Sequence, residues 1–85
     1  GTFVPLANGV TVGRGNDCPL PIDDDYASTR HAEFSPGIDS AWFVEDLAST
    51  NGTHVNGERI ENPTRLSVGD EVRIGRTTMT VTGRR

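Results

Sequence analysis

The apolar residues of this chain fall in short runs at alternate positions, and Gly, Pro, Asn or Asp separates one run from the next. Alternation with a period of two is typical of strands that bury one face, whereas an amphipathic helix needs apolar residues at i, i+3 and i+4. No window of a dozen residues carries that helical spacing. The pattern therefore predicts an all-β domain.

Three dipeptides mark the tightest turns between the runs. Asn8-Gly9 and Asn56-Gly57 are of the kind that adopts positive φ in two-residue hairpins, and Pro36-Gly37 also predicts a turn. Short strands at such regular spacing favour a sandwich of two antiparallel sheets, in which loops at the ends carry function. The predicted strands are Thr2–Leu6, Val10–Gly13, Leu20–Ile22, His31–Ser35, Ala41–Asp46, Thr53–Val55, Glu58–Ile60, Glu71–Ile74 and Thr78–Val81.

An acidic run, Asp23–Asp25, follows the short strand Leu20–Ile22. Three adjacent carboxylates repel one another, and aspartate is depleted in strands, so strand pairing should stop there. We expect a solvated turn that leads into a loop over residues 26–30.

Length and composition fit a single domain over residues 1–85, because the chain has 85 residues and no break in composition. Its only cysteine, Cys18, cannot form an internal disulfide, which indicates a reducing compartment and makes the cytoplasm the expected location. No apolar stretch approaches the roughly 20 residues that span a bilayer. We expect a small, soluble domain with a modest core.

The formal net charge of -4 argues against nucleic acid as a partner, because sequence-independent binding of DNA or RNA relies on a positive field. All eight basic residues are arginines. A guanidinium can donate two parallel hydrogen bonds to an oxyanion, which a lysine cannot do. The composition therefore points to anion recognition only if arginines stand at suitable positions.

Three predicted loops concentrate residues that can hold an anion, at positions 13–16, 28–31 and 49–53. They offer hydroxyl, amide or guanidinium donors, and two of them add glycine, which lets the backbone approach a ligand closely. Any one of these loops, taken alone, is equally well explained as an ordinary turn whose Ser, Thr and Asn side chains cap local backbone groups. Together they favour a binding site.

The order and spacing of four segments resemble the forkhead-associated (FHA) family, and the match extends over nearly the whole chain. Each segment corresponds to a motif of that family, from its Gly-Arg and Ser-x-x-His motifs to its closing segment. The four segments are Gly13-Arg14, Ser28-Thr29-Arg30-His31, the stretch 44–57 (VEDLASTNGTHVNG) and the stretch 66–75 (LSVGDEVRIG).

The resemblance implies an FHA/SMAD-like β-sandwich of two antiparallel sheets with binding loops at one end. It implies that Arg14 and Ser28 bind a phosphate, and that Thr50 and Asn51 hold the phosphorylated residue and the peptide backbone beside it. Thr29 stands where the family often has Arg or Asn, so Arg30 either supplies that contact or is a solvated charge. The residues expected to support the loops are Gly13, His31 and Gly52.

The function implied is that of a phosphothreonine-binding signalling module. Its partner would be a protein phosphorylated by a Ser/Thr kinase, or such a kinase itself, and the chain looks similar to actinobacterial members. The family also begins with a strand upstream of Gly1 that pairs with the last strand. We therefore expect the first strand to be lacking or truncated, with an open edge near Thr78–Val81 unless another segment fills the gap.

Two rival functions come from other classes. A hydrolase could be built from Ser28, His31 and one acid of Asp23–Asp25, but a nucleophile and a base three residues apart on one loop rarely reach the required geometry. Cys18, His31 and His54 lack the spacing of zinc ligands, so we expect neither a metal nor another cofactor. The stronger rival is a phospho-independent interaction domain that binds through a sheet face or the open edge.

Overall fold

The computed structural model describes residues 9–37 and 41–82, and within them every regular element is a strand. These residues contain no helix that could span a membrane. The strands are β1 (Val10–Gly13), β2 (Leu20–Pro21), β3 (Ala32–Pro36), β4 (Trp42–Asp46), β5 (Thr53–Val55), β6 (Glu58–Arg59), β7 (Thr64–Leu66), β8 (Glu71–Ile74) and β9 (Thr77–Thr80).

The strands form two sheets, with the order β2-β1-β3-β4-β7 in the first and β6-β5-β8-β9 in the second. Neighbours run antiparallel except β1 and β2, which are parallel. The predicted all-β sandwich of two sheets is therefore confirmed, with one parallel pair that the sequence did not indicate. Within the described residues β9 lies at the edge of its sheet.

The predicted strands agree closely with the observed ones. Strands β1, β5 and β8 occupy the predicted residues, and the others differ by one residue at one or both ends. The exception is β7, which the sequence analysis missed because Thr64–Leu66 contains one apolar residue and no alternation. The strand predicted over Thr2–Leu6 and its Asn8 turn lie outside the described residues.

The hairpin between β5 and β6 shows why the turn signals worked. Asn56 has φ +52° and Gly57 has φ +88°. Two successive residues with positive φ match the right-handed twist of the flanking strands, and Asn-Gly adopts that conformation at low cost. The predicted hairpin is confirmed.

The core lies between the two sheets, because alternate residues of the inner strands point inward from both sides. Val72 on β8 lies opposite Met79 on β9, and the partly buried Met79 packs against this core. The buried core cluster consists of Val12, Ala27, Ala32, Phe34, Val44, Val55, Leu66, Val72 and Ile74.

The interpretation of the acidic run as a solvated turn is wrong for its middle residue. Asp23 and Asp25 are exposed, but Asp24 is only 8% exposed. Its carboxylate accepts hydrogen bonds from the backbone N–H of Arg76 and from the hydroxyl of Thr77, both at 2.7 Å. These donors compensate the buried charge. Asp24 therefore ties the loop before β3 to the turn between β8 and β9.

The pKa of Asp24 follows from these bonds. The hydrogen bond from the Thr77 hydroxyl lowers the pKa most, and the backbone N–H of Tyr26 lowers it further. Together with the remaining backbone donors they outweigh the effect of burial, so the carboxyl has a pKa below its ordinary value.

Candidate functional site

Three loops meet at one end of the sandwich. They are the β1–β2 loop (residues 14–19), the β2–β3 loop (residues 22–31) and the β4–β5 loop (residues 47–52). The backbone N–H of Arg14 donates to the carbonyl of Ser28 at 3.0 Å, and the N–H of Thr50 donates to the hydroxyl oxygen of Ser28 at 3.0 Å. Ser28 is thus in direct contact with residues of both neighbouring loops. The three loops therefore converge as predicted.

Gly13 permits the closest of these approaches. A Cβ atom at this position would lie 2.2 Å from the carbonyl oxygen of Thr29 and 2.9 Å from that of Ser28. Real side chains do not tolerate such distances to backbone atoms, so only glycine lets the β2–β3 loop lie against the end of β1. The same Thr29 carbonyl accepts hydrogen bonds from the N–H of Gly15 at 3.0 Å and the thiol of Cys18 at 3.2 Å.

His31 joins the β2–β3 loop to the β4–β5 loop from inside the protein. Its side chain is fully buried. Nδ1 accepts a hydrogen bond from the N–H of Ser28 at 3.0 Å, and Nε2 lies 2.8 Å from the carbonyl oxygen of Gly52. Because Nδ1 is an acceptor, the ring hydrogen is on Nε2 and donates to Gly52.

This geometry argues against the hydrolase alternative. A general base must lie within hydrogen-bond reach of the hydroxyl whose proton it removes. Both ring nitrogens of His31 instead contact backbone groups, one of them the amide of Ser28. The Ser28 hydroxyl oxygen accepts the N–H of Thr50. His31 is therefore a brace between loops in this structure.

Asp46, which the sequence analysis did not single out, organises the β4–β5 loop. Its carboxylate accepts hydrogen bonds from the N–H and the hydroxyl of Ser49 and from the hydroxyl of Thr53. The Ser49 oxygen in turn accepts the N–H of Gly52 at 2.9 Å. Burial raises the pKa of Asp46, but the bonds from Ser49 and Thr53 outweigh burial and hold the pKa below its ordinary value. A signal was present, because Asp and Ser side chains often bond to backbone groups of a following turn.

The β4–β5 loop needs two residues with positive φ. Gly52 has φ +84°, which glycine adopts freely, and Ala48 has φ +56°, which an L side chain disfavours. The loop is therefore held in a partly strained conformation by the Asp46 and His31 contacts. Gly52 stands where the resemblance places a supporting residue.

Asn51 and Tyr26 connect the β4–β5 loop to the β2–β3 loop at the surface. The side-chain amide Nδ2 of Asn51 donates to the carbonyl of Tyr26 at 2.8 Å, and Asn51 is exposed. A primary amide has a second N–H and an acceptor oxygen, so further bonds to a ligand are available to it. The guanidinium of Arg76 lies 4.4 Å from the centre of the Tyr26 ring, which extends this surface to the β8–β9 turn.

The charged and polar residues around Ser28 are exposed. Arg14 makes one long contact, from Nη1 to the carbonyl oxygen of Asp25 at 3.4 Å. Beside it is an open depression of about 510 Å³ whose lining includes Arg14, Asn16 and Ile22. Thr29 and Arg30 are exposed at the rim of the β2–β3 loop. The structure thus brings Arg14, Ser28, Thr50 and Asn51 together and leaves Arg30 in solvent.

Two packed sheets with hydrogen-bonded loops at one end define a β-sandwich with exposed polar residues on those loops. A profile of the FHA domain family matches residues 10–75, and the chain belongs to that family. The resemblance carried by the sequence motifs is therefore confirmed.

Relatives and solved structures agree with this assignment. The FHA domain-containing protein FhaB of Mycolicibacterium smegmatis, an actinobacterial relative, is 47% identical over 78 residues. That match covers 91% of this chain and 50% of FhaB, so the chain spans about half the length of this relative.

Two similar solved structures come from work on phosphorylated ligands. One comes from a structural and functional study of phosphothreonine-dependent FHA domain interactions. It has a TM-score of 0.84 and 29% identity, and the match covers 96% of this chain and 82% of that one. The other is Mycobacterium tuberculosis EmbR in complex with a low-affinity phosphopeptide. It has a TM-score of 0.77 and 30% identity, and the match covers 93% of this chain and 21% of EmbR.

Proposed function

We propose that this domain binds a phosphothreonine of a partner protein at the junction of the three loops and has a recruiting role without catalysis. The observation that carries the proposal is the position of Ser28. Its backbone is held by Arg14 and His31, and its hydroxyl is held by Thr50. A site held from three sides is preorganised for a ligand.

The Ser28 hydroxyl is set up to donate to an oxyanion. Its oxygen already accepts the N–H of Thr50, so its own hydrogen is free to turn to a phosphate oxygen. The backbone of Arg14 is bonded to the Ser28 carbonyl, so its side chain begins beside Ser28. The long hydrogen bond from its guanidinium to the carbonyl of Asp25 is easily given up. A phosphothreonine has about -1.5 to -2 charges and three strong acceptor oxygens. Each charge-assisted hydrogen bond to it contributes about 1.5 to 3 kcal/mol.

The remaining site residues surround that phosphate position. Thr50 and Asn51 lie on the β4–β5 loop beside Ser28, where the amide of Asn51 suits the alternating donors and acceptors of a peptide backbone. Thr29 and Arg30 form the exposed rim, and Arg30 is long enough to approach a bound phosphate. We assign Gly13, His31 and Gly52 a supporting role on the contacts described above.

The related proteins support the same class of partner. EmbR was solved with a phosphopeptide, and the other FHA domain comes from work on phosphothreonine-dependent interactions. We infer that the partner is the product of a Ser/Thr kinase or the kinase itself. A binding role also agrees with the engagement of both His31 nitrogens by backbone atoms. The cytoplasmic location stays a prediction, supported by the buried free thiol of Cys18.

The test uses a phosphothreonine peptide library, followed by titration of the best peptide with and without its phosphate. We expect binding of the phosphorylated form only. Arg14→Ala should weaken it by about 2 to 5 kcal/mol, because a desolvated phosphate is left poorly paired. Arg65→Ala is the matched control, since Arg65 is exposed on β7 of the first sheet. Circular dichroism must show that both variants are folded.

Two outcomes would contradict the proposal. Equal binding of the threonine and phosphothreonine peptides would favour the phospho-independent alternative. Equal loss of affinity in Arg14→Ala and Arg65→Ala would mean that a general charge effect, and not the loop site, holds the phosphate.

A further inference from the structure

A row of basic side chains crosses the second sheet. The strand register places Arg59 of β6 directly opposite His54 of β5, and His54 directly opposite Arg73 of β8. Residues directly opposite one another point to the same face of a sheet. The neighbours Thr53 and Val55 are buried, whereas Arg59 and Arg73 are exposed. The row Arg59–His54–Arg73 therefore lies on the outer face of the second sheet.

The spacing of the row is fixed by the sheet. Adjacent strands lie about 4.8 Å apart, so the Cα atoms of Arg59 and Arg73 are separated by about 10 Å. The row continues to Thr78 of β9, which lies opposite Arg73. No member of the row is acidic. It therefore presents two guanidinium groups and an imidazole in line.

The row disfavours a proton on its central imidazole. Burial lowers the pKa of His54 most, and the charges of Arg73 and Arg59 lower it further. The charge of the row near pH 7 is therefore carried by its two arginines. Asp46 acts in the opposite direction and His31 adds a small decrease, and the net pKa is below the ordinary value of 6.5. The row thus has a positive local field in a chain whose net charge is -4.

Carboxylates border the row on both sides. Thr53 is paired with Ile74, so the next positions along β5 and β8 toward the binding loops are Gly52 and Gly75. Both positions are covered by other side chains, and a Cβ at Gly75 would lie 2.8 Å from Oδ1 of Asp24. The side chain of Arg59 lies against Gly52, since a Cβ there would be 2.7 Å from Arg59 Nε. On the other side of the row, Glu71 and Thr80 limit the positive region to a narrow band.

We propose that the row Arg59–His54–Arg73 is a docking surface for an extended acidic segment of a protein partner, separate from the phosphothreonine site. The occupant follows from charge complementarity. Carboxylates at every second position of an extended chain lie on one face, about 7 Å apart, which is within reach of two long guanidinium side chains whose Cα atoms are about 10 Å apart. The surface does not require a phosphate and does not rest on the function proposed above.

The experiment titrates the domain with an unphosphorylated ten-residue peptide in which Glu and Ala alternate, followed by amide NMR shifts. We expect the largest shifts on β5, β6 and β8. The pKa of His54, measured from its ring proton, should rise when the peptide is bound, because carboxylates offset the field of the two arginines. The affinity should fall with added salt.

The variant that tests the row is Arg73→Gln, and its matched control is Arg65→Gln. Both residues are exposed at the centre of a strand, but Arg65 lies on the first sheet. We expect Arg73→Gln to lower the affinity for the Glu-Ala peptide about fivefold and Arg65→Gln to leave that affinity unchanged.

Three results would overturn the docking surface. The first is an equal loss of affinity in the two variants. The second is a set of shifts confined to the loops around Ser28, which would mean that the peptide reaches only the phosphate site. The third is equally tight binding to the row by a single-stranded oligothymidine of ten nucleotides, which would mean that the row attracts any polyanion.

Discussion

The Nε2 atom of His31 lies 2.8 Å from the carbonyl oxygen of Gly52, a residue 21 positions further along the chain. Through its other nitrogen the same ring holds the backbone of Ser28. One buried side chain therefore positions the β2–β3 loop and the β4–β5 loop relative to each other. Replacing His31 should therefore lower both the stability of the domain and its affinity for a phosphopeptide.

Replacing His31 tests this brace. His31→Ala removes both bonds and leaves the N–H of Ser28 and the carbonyl of Gly52 without their partner in a buried site. Each unsatisfied buried group costs about 1 to 3 kcal/mol, so the free energy of unfolding should fall by about 2 to 6 kcal/mol. Urea denaturation measures this change in the free energy of unfolding. His54→Ala on the sheet surface is the control, and a loss of stability as large as that of His31→Ala would contradict the brace.

Ala48 offers a prediction of the opposite sign. With φ +56° its side chain pays a conformational penalty of about 1 to 2 kcal/mol, which glycine avoids. Glycine also makes the unfolded chain more flexible, at a cost of about 0.4 to 1 kcal/mol. Ala48→Gly should therefore raise the free energy of unfolding by about 0.5 to 1 kcal/mol. Ala41→Gly, where φ is not positive, should lower it, and a loss of stability at Ala48 would contradict the strain.

The pH dependence of stability follows from three aspartates. Asp24, Asp46 and Asp70 all have pKa values below the ordinary 3.8 in the folded domain. At Asp70 the backbone N–H of Ser67 is the main cause. When the folded pKa is lower, the unfolded chain binds more protons, so the stabilisation is full above the unfolded pKa and is lost as pH falls through the folded value. We expect stability to fall steeply below about pH 4.

Asp24→Asn separates the contribution of one carboxylate. An amide keeps only one acceptor oxygen, so either the N–H of Tyr26 or the N–H of Arg76 together with the hydroxyl of Thr77 loses its acceptor, and the variant should be less stable at pH 7. Its stability should also fall less between pH 5 and pH 2, within the range of about 5 to 1 in which such carboxylates lose their effect. Asp23→Asn makes the same charge change at an exposed site and is the control. An acid profile of Asp24→Asn equal to that of the parent would contradict the assignment.

The limits of the sequence analysis can be traced to particular residues. The dipeptide Asn56-Gly57 predicts its hairpin because the required positive φ angles are those of these two residues. The role of Asp24 is not readable in the same way, since its partners are 52 and 53 residues away. Strand β7 was missed because it is defined by pairing with β4 and not by its own pattern.

In the candidate site, too, local motifs were readable from the sequence and long-range contacts were not. Arg14, Ser28 and Asn51, which the family motifs single out, lie at one end of the sandwich. The partners of Asp46, by contrast, depend on how the β4–β5 loop folds back on itself. The motifs therefore named the exposed residues of the loop junction and the buried His31, and missed Asp46.

Ser28→Ala distinguishes binding from bracing at one atom. The hydroxyl oxygen accepts the N–H of Thr50, and its hydrogen is available to a phosphate. Its removal should cost about 1 kcal/mol of stability, because one ordinary hydrogen bond is lost. The same substitution should weaken binding of the phosphothreonine peptide by about 1.5 to 3 kcal/mol, because the lost bond to the phosphate is charge-assisted. Titration calorimetry and urea denaturation measure the two effects separately.

The control for Ser28→Ala is Ser35→Ala, the same change on strand β3. It should leave the affinity of the phosphopeptide unchanged. If Ser28→Ala loses stability but binds the phosphopeptide as tightly as the parent, the hydroxyl holds Thr50 and does not contact the phosphate. The anion would then be held by Arg14 and the neighbouring backbone alone, and the geometry proposed at Ser28 would be wrong.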